Sequence, residues 1–188
     1  MSAPPELPDV VRRAHDVSRR TGYALFCRNE TGRLLAALAA TRSGVLAEFG
    51  TGCGVGTAWL RSGMRGDARI LSAELDPSLA HAAGAIFAAD ERVEVRSADW
   101  STLRERGPFS LLFLDAREPK ESGVDAVVDL VEPGGIVVLD DFTPCASWPP
   151  VFEGRVDALR ESWLTDERFT TVEIMVASDA SVLIATKR

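Results

Sequence analysis

The segment Val45-Leu-Ala-Glu-Phe-Gly-Thr-Gly-Cys-Gly-Val-Gly-Thr57 decides the fold of this chain. Its apolar start, Val45–Phe49, has the length and composition of a buried parallel strand. Four glycines follow at alternate positions from Gly50 to Gly56, and Thr57 opens a helical run. Glycine permits positive φ and lets a ligand approach the backbone closely. A strand, a glycine turn and a helix start together predict a site for a nucleotide or cofactor.

Strand-like and helix-like segments alternate after this turn. Strands are predicted at Ala68–Leu75, Arg92–Arg96, Ser110–Asp115 and Gly135–Asp140. Helices are predicted at Pro77–Ala88, Trp100–Arg106, Ser122–Val131 and Val151–Leu164. Strands separated by helices require right-handed crossovers, which build a parallel α/β sheet covered on both faces.

The two ends of the chain differ from this alternation. Two amphipathic helices, one from Leu7 to just before Gly22 and one over Asn29–Thr41, precede the first strand. Two β segments, Phe169–Val176 and Ser181–Thr186, end the chain, and their four-residue connection permits only an antiparallel hairpin. We predict one domain over residues 1–188, in which helices within 1–43 cover the active site of a cofactor-binding core over 44–188.

Composition limits the partners and the location. The 188 residues are 46% hydrophobic and carry a net charge of −7, which argues against nucleic acid and anionic membrane surfaces as partners. No apolar run approaches the roughly 20 residues that cross a bilayer, and no signal peptide is predicted. Three widely spaced cysteines indicate a reduced, cytoplasmic protein. A homodimer is left open.

The spacing of the glycines limits which cofactors the turn can bind. A dinucleotide fingerprint needs glycine at i, i+2 and i+5, or alanine last, but the third position is Val55 or Thr57 in the two available registers. A phosphate loop ending in Gly-Lys-Ser/Thr is also absent. What remains is acidic-x-Gly-x-Gly-x-Gly, beginning at Glu48, which resembles the first motif of class I S-adenosylmethionine-dependent methyltransferases. A glycine-rich turn without a cofactor is the alternative.

Further acidic residues follow the next two strands. Glu74 ends the second strand beside the glycine turn, where a carboxylate can accept both ribose hydroxyls. Asp99 and Trp100 follow the third strand, where the resemblance implies contact with the adenine; Asp99 can equally cap a helix. The predicted cofactor-binding residues are Glu48, Gly50, Thr51, Gly52, Gly54, Thr57, Glu74, Leu75, Asp99, Trp100 and Asp115.

Three carboxylates lie at the ends of the fourth and fifth strands. Asp115, Asp140 and Asp141 should meet in the same crevice, where they repel one another unless a cation or a cationic substrate lies between them. Oxygen ligands of this kind suit Mg²⁺ or Ca²⁺. Aspartates at strand ends are also common without a metal, so both interpretations stay open.

The whole pattern resembles the small metal-dependent O-methyltransferases of the catechol and caffeoyl-CoA type. These have two leading helices, a Glu-x-Gly-x-Leu-Leu segment, here Glu30–Leu35, and a metal triad, here Asp115, Asp140 and Asp141. The resemblance implies a doubly wound, Rossmann-like sheet of seven strands in the order 3-2-1-4-5-7-6, with strand 7 antiparallel. It also implies methyl transfer to the hydroxyl of a small molecule.

Two positions depart from that family pattern. The third metal ligand is Asp141 instead of asparagine, and the family's lysine, three residues after the first metal aspartate, is Glu118 here. The nearest lysine is Lys120, in a segment predicted to be a loop, where it is either a base or substrate clamp or merely solvated. We predict Asp115, Lys120 and Asp140 as catalytic. Aromatic candidates for the acceptor pocket are Tyr23, Phe26, Phe142 and Trp148.

Other functions remain as alternatives. A protein that binds S-adenosylmethionine without catalysis, or that transfers an aminopropyl or N-methyl group, would use the same turn. Methylation of nucleic-acid bases is disfavoured because no Asn/Asp-Pro-Pro-Tyr-like motif follows the fourth strand, which continues as Asp115-Ala-Arg-Glu-Pro. A nicotinamide oxidoreductase is less favoured because the third glycine is missing.

Overall fold

A seven-stranded mixed sheet forms the centre of the molecule in a computed structural model that describes residues 6–188. Its strands are β1 (Gly44–Phe49), β2 (Ala68–Glu74), β3 (Val93–Ser97), β4 (Phe109–Leu114), β5 (Val131–Phe142), β8 (Phe169–Ala177) and β9 (Ala180–Lys187), and a separate hairpin pairs β6 (Val151–Phe152) with β7 (Arg155–Val156). The order is β3-β2-β1-β4-β5-β9-β8, and β9 is antiparallel to both neighbours. Apart from the numbering shift that the hairpin causes, this is the predicted order.

Helices surround the sheet. They are α1 (Asp9–Thr21), α2 (Asn29–Ala39), α3 (Val55–Gly63), α4 (Pro77–Phe87), α5 (Arg117–Glu121), α6 (Val124–Val127) and α7 (Ala158–Thr165), with 3₁₀ turns at Trp100–Arg106 and Val128–Leu130. Local signals fix several ends: Gly22 ends α1 with φ +71°, and the Asp76 carboxylate caps α4 by accepting from Ser78 and Leu79. Within residues 6–188, no helix has the length and apolar character to cross a membrane.

The core has two layers because alternate residues of each strand point to opposite faces of the sheet. On β4, Leu111 and Phe113 pack under α1 to α4, whereas Leu112 and Leu114 pack on the side of α6 and α7. All four side chains are fully buried. The continuously apolar strands predicted from the sequence are therefore buried on both faces, as a parallel sheet requires.

The N-terminal helices α1 and α2 both pack against α3. The approach of α2 is close, since a Cβ on Gly63 would lie 1.9 Å from the carbonyl oxygen of Ala36. A Cβ on Gly32 would likewise lie 2.1 Å from the Trp59 ring. Residues 1–5 of the predicted single domain lie outside the described part of the chain, and its extent over 1–188 stays a prediction.

The predicted helix at Val151–Leu164 is wrong in its first half. Residues 151–156 form the β6–β7 hairpin, and α7 begins only at Ala158. Glu153 and Gly154 both have positive φ, +49° and +76°, which is the backbone of a tight two-residue hairpin turn. Asp157 then caps α7 by accepting from the backbone N–H of Arg160 at 3.1 Å.

The segment after β4 also differs from the prediction. Residues 117–121, predicted as a loop, form the short helix α5, and the predicted helix Ser122–Val131 is reduced to α6 and one 3₁₀ turn. Gly123, with φ +80°, separates the two helices because only glycine adopts this conformation without strain. Lys120 therefore lies on the short helix α5, at the edge of the sheet, and not on a loop.

Candidate active site

The carboxyl ends of four parallel strands meet at one edge of the sheet. β1 runs into Gly50, β2 ends at Glu74, β4 runs into Asp115, and Asp140 lies near the end of β5. A cavity of about 620 Å³ opens there. It is lined by Tyr23, Ala24, Leu25, Phe26, Arg28, Gly50, Ala73, Glu74, Leu75, Ala98, Asp99, Trp100, Asp115, Ala116, Arg117, Glu118, Pro119, Lys120 and Asp141.

The glycine turn borders one half of this cavity through Gly50. Gly50, Gly52 and Gly54 all have positive φ, so the alternating glycines are needed for the turn itself. The Gly52 N–H donates to Glu74 Oε2 at 2.7 Å, and the Asp76 N–H donates to the other oxygen at 2.9 Å. Glu74 is therefore held beside the turn, as predicted.

Glu48 has a different place from the one expected. The Glu48 side chain is fully buried and does not line the cavity. Its Oε2 accepts hydrogen bonds from the Thr57 and Ser72 hydroxyls. Its Oε1 has no hydrogen-bond partner within residues 6–188. On β1, residue 48 points toward α3, where Gly56 leaves room for the carboxyl group. Direct contact between this side chain and a ligand in the cavity is therefore not expected. Thr51, bonded to Ser72 at 2.5 Å, belongs to the same buried network.

Burial raises the pKa of Glu48 to about 8, against hydrogen bonds from Thr57 and Ser72 that lower it. The folded protein thus keeps a proton that the unfolded chain releases above its ordinary pKa of 4.5. The stability that this proton contributes is complete below pH 4.5 and is lost as the pH rises through about 8.

Replacement of Glu48 by glutamine is expected to remove this pH dependence. The wild type should lose up to about 5 kcal/mol of unfolding free energy between pH 4.5 and 8 that the variant keeps, by pKa linkage. Urea unfolding at pH 5, 7 and 8.5 measures it, with exposed Glu167→Gln as the control. Parallel pH profiles for wild type and Glu48→Gln would contradict the assignment.

Asp99 and Trp100 lie on the wall next to Glu74. Asp99 accepts from the backbone N–H of Ser101 at 2.9 Å, so it does cap the 3₁₀ turn, and it also lines the cavity. The two predicted roles are compatible. The Trp100 ring packs on Phe49, with ring centroids 5.2 Å apart, and its Nε1 donates to Glu118 Oε2 at 2.9 Å. An aromatic surface is thus fixed beside the cavity.

The three aspartates do converge. Asp115, Asp140 and Asp141 each offer one carboxylate oxygen, and these oxygens lie within 4.8 Å of one another. Burial, then the neighbouring carboxylates, raises the pKa of Asp115 well above its ordinary value. Burial also raises the pKa of Asp140, whose Oδ1 accepts from Thr31 at 3.2 Å. Both acids therefore hold a proton more tightly than an exposed aspartate does.

Lys120 is the cation that lies against this cluster. Its Nζ donates to the backbone oxygen of Asp140 at 3.1 Å and to Asp141 Oδ2 at 3.0 Å, and the residue is only 9% exposed. The interpretation as a solvated loop lysine is wrong, because α5 directs the side chain inward. Asp141 itself has φ +68°, a conformation unusual for a residue other than glycine.

Residues 47–142 match the sequence profile of a methyltransferase domain. The chain belongs to this family of methyltransferase domains. No curated protein matches the chain by sequence. The matched segment runs from β1 to the end of β5 and so contains the glycine turn, Glu74 and all three clustered aspartates.

Solved structures of methyltransferases share the fold over nearly the whole chain. An O-methyltransferase from Bacillus cereus in complex with SAH is 20% identical, with a TM-score of 0.76 and coverage of 97% of this chain and 92% of that one. TomG of Streptomyces achromogenes, solved with SAM, is 21% identical over the same shares, with a TM-score of 0.73. A Staphylococcus aureus protein provisionally named caffeoyl-CoA O-methyltransferase is 15% identical, covers 95% and 92%, and has a TM-score of 0.73. The resemblance to class I S-adenosylmethionine-dependent methyltransferases is confirmed.

The N-terminal segment of this methyltransferase forms one wall of the cavity, and the sequence predicted only some of its residues. Tyr23 and Phe26 line the cavity as predicted, and Ala24, Leu25 and Arg28 join them. Burial and the nearby acids raise the pKa of Tyr23 to about 12, and its ring lies over Gly52. The other two aromatic candidates do not line the cavity: Phe142 is buried in the core, and Trp148 is 64% exposed.

Proposed function

We propose that this methyltransferase transfers the methyl group of S-adenosylmethionine to the hydroxyl of a small-molecule acceptor. The observation that carries the proposal is one continuous cavity, which extends from the glycine turn and Glu74 to Asp115, Lys120 and Asp141. Groups suited to a cofactor and groups suited to acid–base chemistry therefore share a single cavity. The cytoplasmic location stays a prediction. The homodimer stays a prediction.

The end of the cavity near β1 and β2 suits the cofactor. A carboxylate has about four acceptor positions, so Glu74 can accept from ribose hydroxyls as well as from the backbone of Gly52 and Asp76. Asp99, Trp100 and Leu75 line the adjoining wall, where an adenine can be bonded and stacked. When bound, S-adenosylmethionine supplies an electrophilic methyl group on a sulfonium.

The end of the cavity near β4 and β5 suits the acceptor. Asp115 lines the cavity and has a raised pKa because burial disfavours its charged form, so it can hold a proton taken from a hydroxyl. Burial also raises the pKa of Asp140, but this residue lies behind Asp115 and does not line the cavity. Lys120 fixes the position of Asp141 and the backbone of Asp140. Tyr23 and Phe26 line the opposite side of the cavity. Most of the acceleration is then due to positioning.

The aspartate cluster also fits a divalent metal. The three carboxylate oxygens lie within 4.8 Å of one another, a spacing on the scale of two Ca²⁺–oxygen bonds of about 2.3–2.6 Å each. The donors are hard oxygens, and a bound cation would offset both the burial of Asp115 and the neighbouring carboxylates that raise its pKa. Asp115, Asp140 and Asp141 would hold Mg²⁺ or Ca²⁺, which lowers the pKa of a coordinated hydroxyl.

Calorimetry on the full chain tests the proposal. S-adenosylmethionine and S-adenosylhomocysteine should bind at micromolar levels, whereas NAD should not bind. Transfer of a labelled methyl group to members of a panel of phenols and catechols should follow. Binding of NAD instead, or S-adenosylmethionine binding that leads only to aminopropyl transfer, would overturn it. Turnover that persists unchanged in excess chelator would overturn the metal part alone.

A further inference from the structure

Two members of the aspartate cluster, Asp140 and Asp141, are neighbours on β5. Consecutive residues of a regular strand point to opposite faces of the sheet, so only one of two neighbours would be directed toward Asp115. The structure nevertheless brings all three carboxylates together. The backbone of β5 must therefore depart from a regular strand at this point.

The departure is a β-bulge. Two residues of β5, Asp140 and Asp141, stand opposite one residue of β9, Val182. Leu139 before the bulge and Phe142 after it both pack in the core layer on the side of α6 and α7, although positions 139 and 142 of a regular strand would point to opposite faces. Asp141 is thus the additional residue, and its φ of +68° takes its side chain out of the strand pattern.

This backbone conformation is unfavourable for Asp141 taken alone. A left-handed φ costs free energy for residues other than glycine, although aspartate and asparagine adopt it more readily than most. Such a conformation persists where the surrounding contacts over-determine it. The chain leaves the sheet directly after Phe142, and residues 143–150 form neither strand nor helix. Contacts from other elements must therefore hold the backbone after the bulge.

Arg160 of α7 makes these contacts. Its side chain is 1% exposed, and its Nη2 donates to the Thr143 carbonyl oxygen at 2.7 Å. Its guanidinium lies over the Phe142 ring, 5.2 Å from the centroid. Its Nε and Nη1 form ion pairs with Asp157 at 3.2 Å and Glu173 at 3.4 Å, which keep this buried charge in place. One side chain thus contacts both residues that follow the bulge.

The same network includes the partner strand β9. Glu173 Oε1 accepts a hydrogen bond from the Ser181 hydroxyl at 2.5 Å, and that hydroxyl also lies 3.3 Å from the Phe142 carbonyl oxygen. Ser181 is fully buried. The carbonyl groups of Phe142 and Thr143 are therefore bound by side chains of one buried network. Arg160, Glu173 and Ser181 do not line the cavity, so they can act on it only through the backbone of β5.

We propose that Arg160 is a positioning residue for the aspartate cluster, because it holds the bulge that turns Asp141 toward Asp115 and Asp140. This role rests on the proposed binding of a divalent cation by the cluster. Without the contacts of Arg160, Asp141 would return to an extended conformation and leave two carboxylates for the cation. Loss of an outer partner that orients metal ligands typically lowers metal affinity about 10–100-fold.

Calorimetry of Mn²⁺ binding to the full chain with S-adenosylhomocysteine tests the proposal, since Mn²⁺ takes the same oxygen ligands as Mg²⁺. Arg160→Met fills similar space without charge and should weaken Mn²⁺ binding at least about tenfold. Arg160→Lys keeps the charge without the planar fork and should recover part of this loss. The affinity for S-adenosylhomocysteine should stay within about threefold in both variants, because the network lies away from the glycine turn.

The matched control is Arg61→Met, which removes a half-buried arginine that pairs with Asp90 and does not line the cavity. It should leave Mn²⁺ affinity within about twofold. If Arg160→Met does not fold, Ser181→Ala removes only one hydroxyl from the network and should weaken Mn²⁺ binding about threefold, the effect of about one lost hydrogen bond. An equal loss of affinity in Arg61→Met would overturn the proposal.

Backbone NMR chemical shifts of Asp141 give a readout that needs neither metal nor turnover. They should indicate a positive φ in the wild type and an extended conformation in Arg160→Met. Unchanged Mn²⁺ affinity or a retained positive φ in the folded variant would overturn the proposal, and so would a parallel loss of S-adenosylhomocysteine binding. If the wild type binds no Mn²⁺, the metal part of the proposed function fails, and the conformation of Asp141 alone decides the role of Arg160.

Discussion

Replacement of Asp140 by asparagine is expected to lower the rate of methyl transfer at least about 100-fold, with the affinity for S-adenosylmethionine within about threefold of wild type. Asp140 is 4% exposed and lies beside Asp115 and Lys120, away from the glycine turn. Asparagine keeps an oxygen for the Thr31 hydroxyl but carries no negative charge beside Asp115 and is a weaker metal ligand. A positioned base contributes roughly 10²–10⁴ in rate, and Asp140 acts on the base Asp115 through its charge.

Single-turnover transfer of a labelled methyl group, with calorimetry for the cofactor, measures the two effects separately. The matched control is Asp129→Asn, an exposed aspartate that does not line the cavity and should retain full activity. A variant with normal turnover would remove Asp140 from the site. A variant that loses cofactor binding in parallel with turnover would show that the residue supports the cofactor instead.

Replacement of Gly50 by valine is expected to weaken S-adenosylmethionine binding at least about 100-fold. Gly50 has φ +100°, which a β-branched residue does not adopt without strain. A Cβ there would lie 2.7 Å from the Cβ of Ala116 and 2.8 Å from its backbone nitrogen. That nitrogen donates to the Phe49 carbonyl at 3.0 Å, so the turn and the start of α5 would separate.

Calorimetry and the melting temperature together distinguish loss of the site from loss of the fold. Gly66→Val is the control, because a Cβ at Gly66 meets no atom within 4 Å and its φ lies outside the left-handed region. It should leave cofactor affinity and melting temperature nearly unchanged. If Gly50→Val lowers the melting temperature too far for binding to be measured, Gly50→Ala places only the Cβ. Normal affinity in either folded variant would place the cofactor elsewhere.

Short-range signals explain why much of the fold could be predicted. The strand–turn–helix at Val45–Thr57 is specified by neighbouring residues, since the apolar run and the alternating glycines each permit few conformations. The alternation of strands and helices then leaves few topologies for the rest. The hairpin at 151–156 was missed because its signal, Glu153-Gly154, lies inside a pattern that also has helical spacing.

The sequence by itself determined the parallel sheet, the glycine turn and the convergence of Glu74, Asp115 and Asp140 at one edge, because the ends of parallel strands must meet there. Only the tertiary structure decided which side chains face the cavity. Glu48 points below the turn because of the pleat of β1, and Lys120 is buried because α5 packs against residues about 20 positions further along the chain. Such long-range packing and the resulting burial have no local signature in the sequence. As a result, Glu48 is absent from the wall of the cavity and Lys120 is part of it.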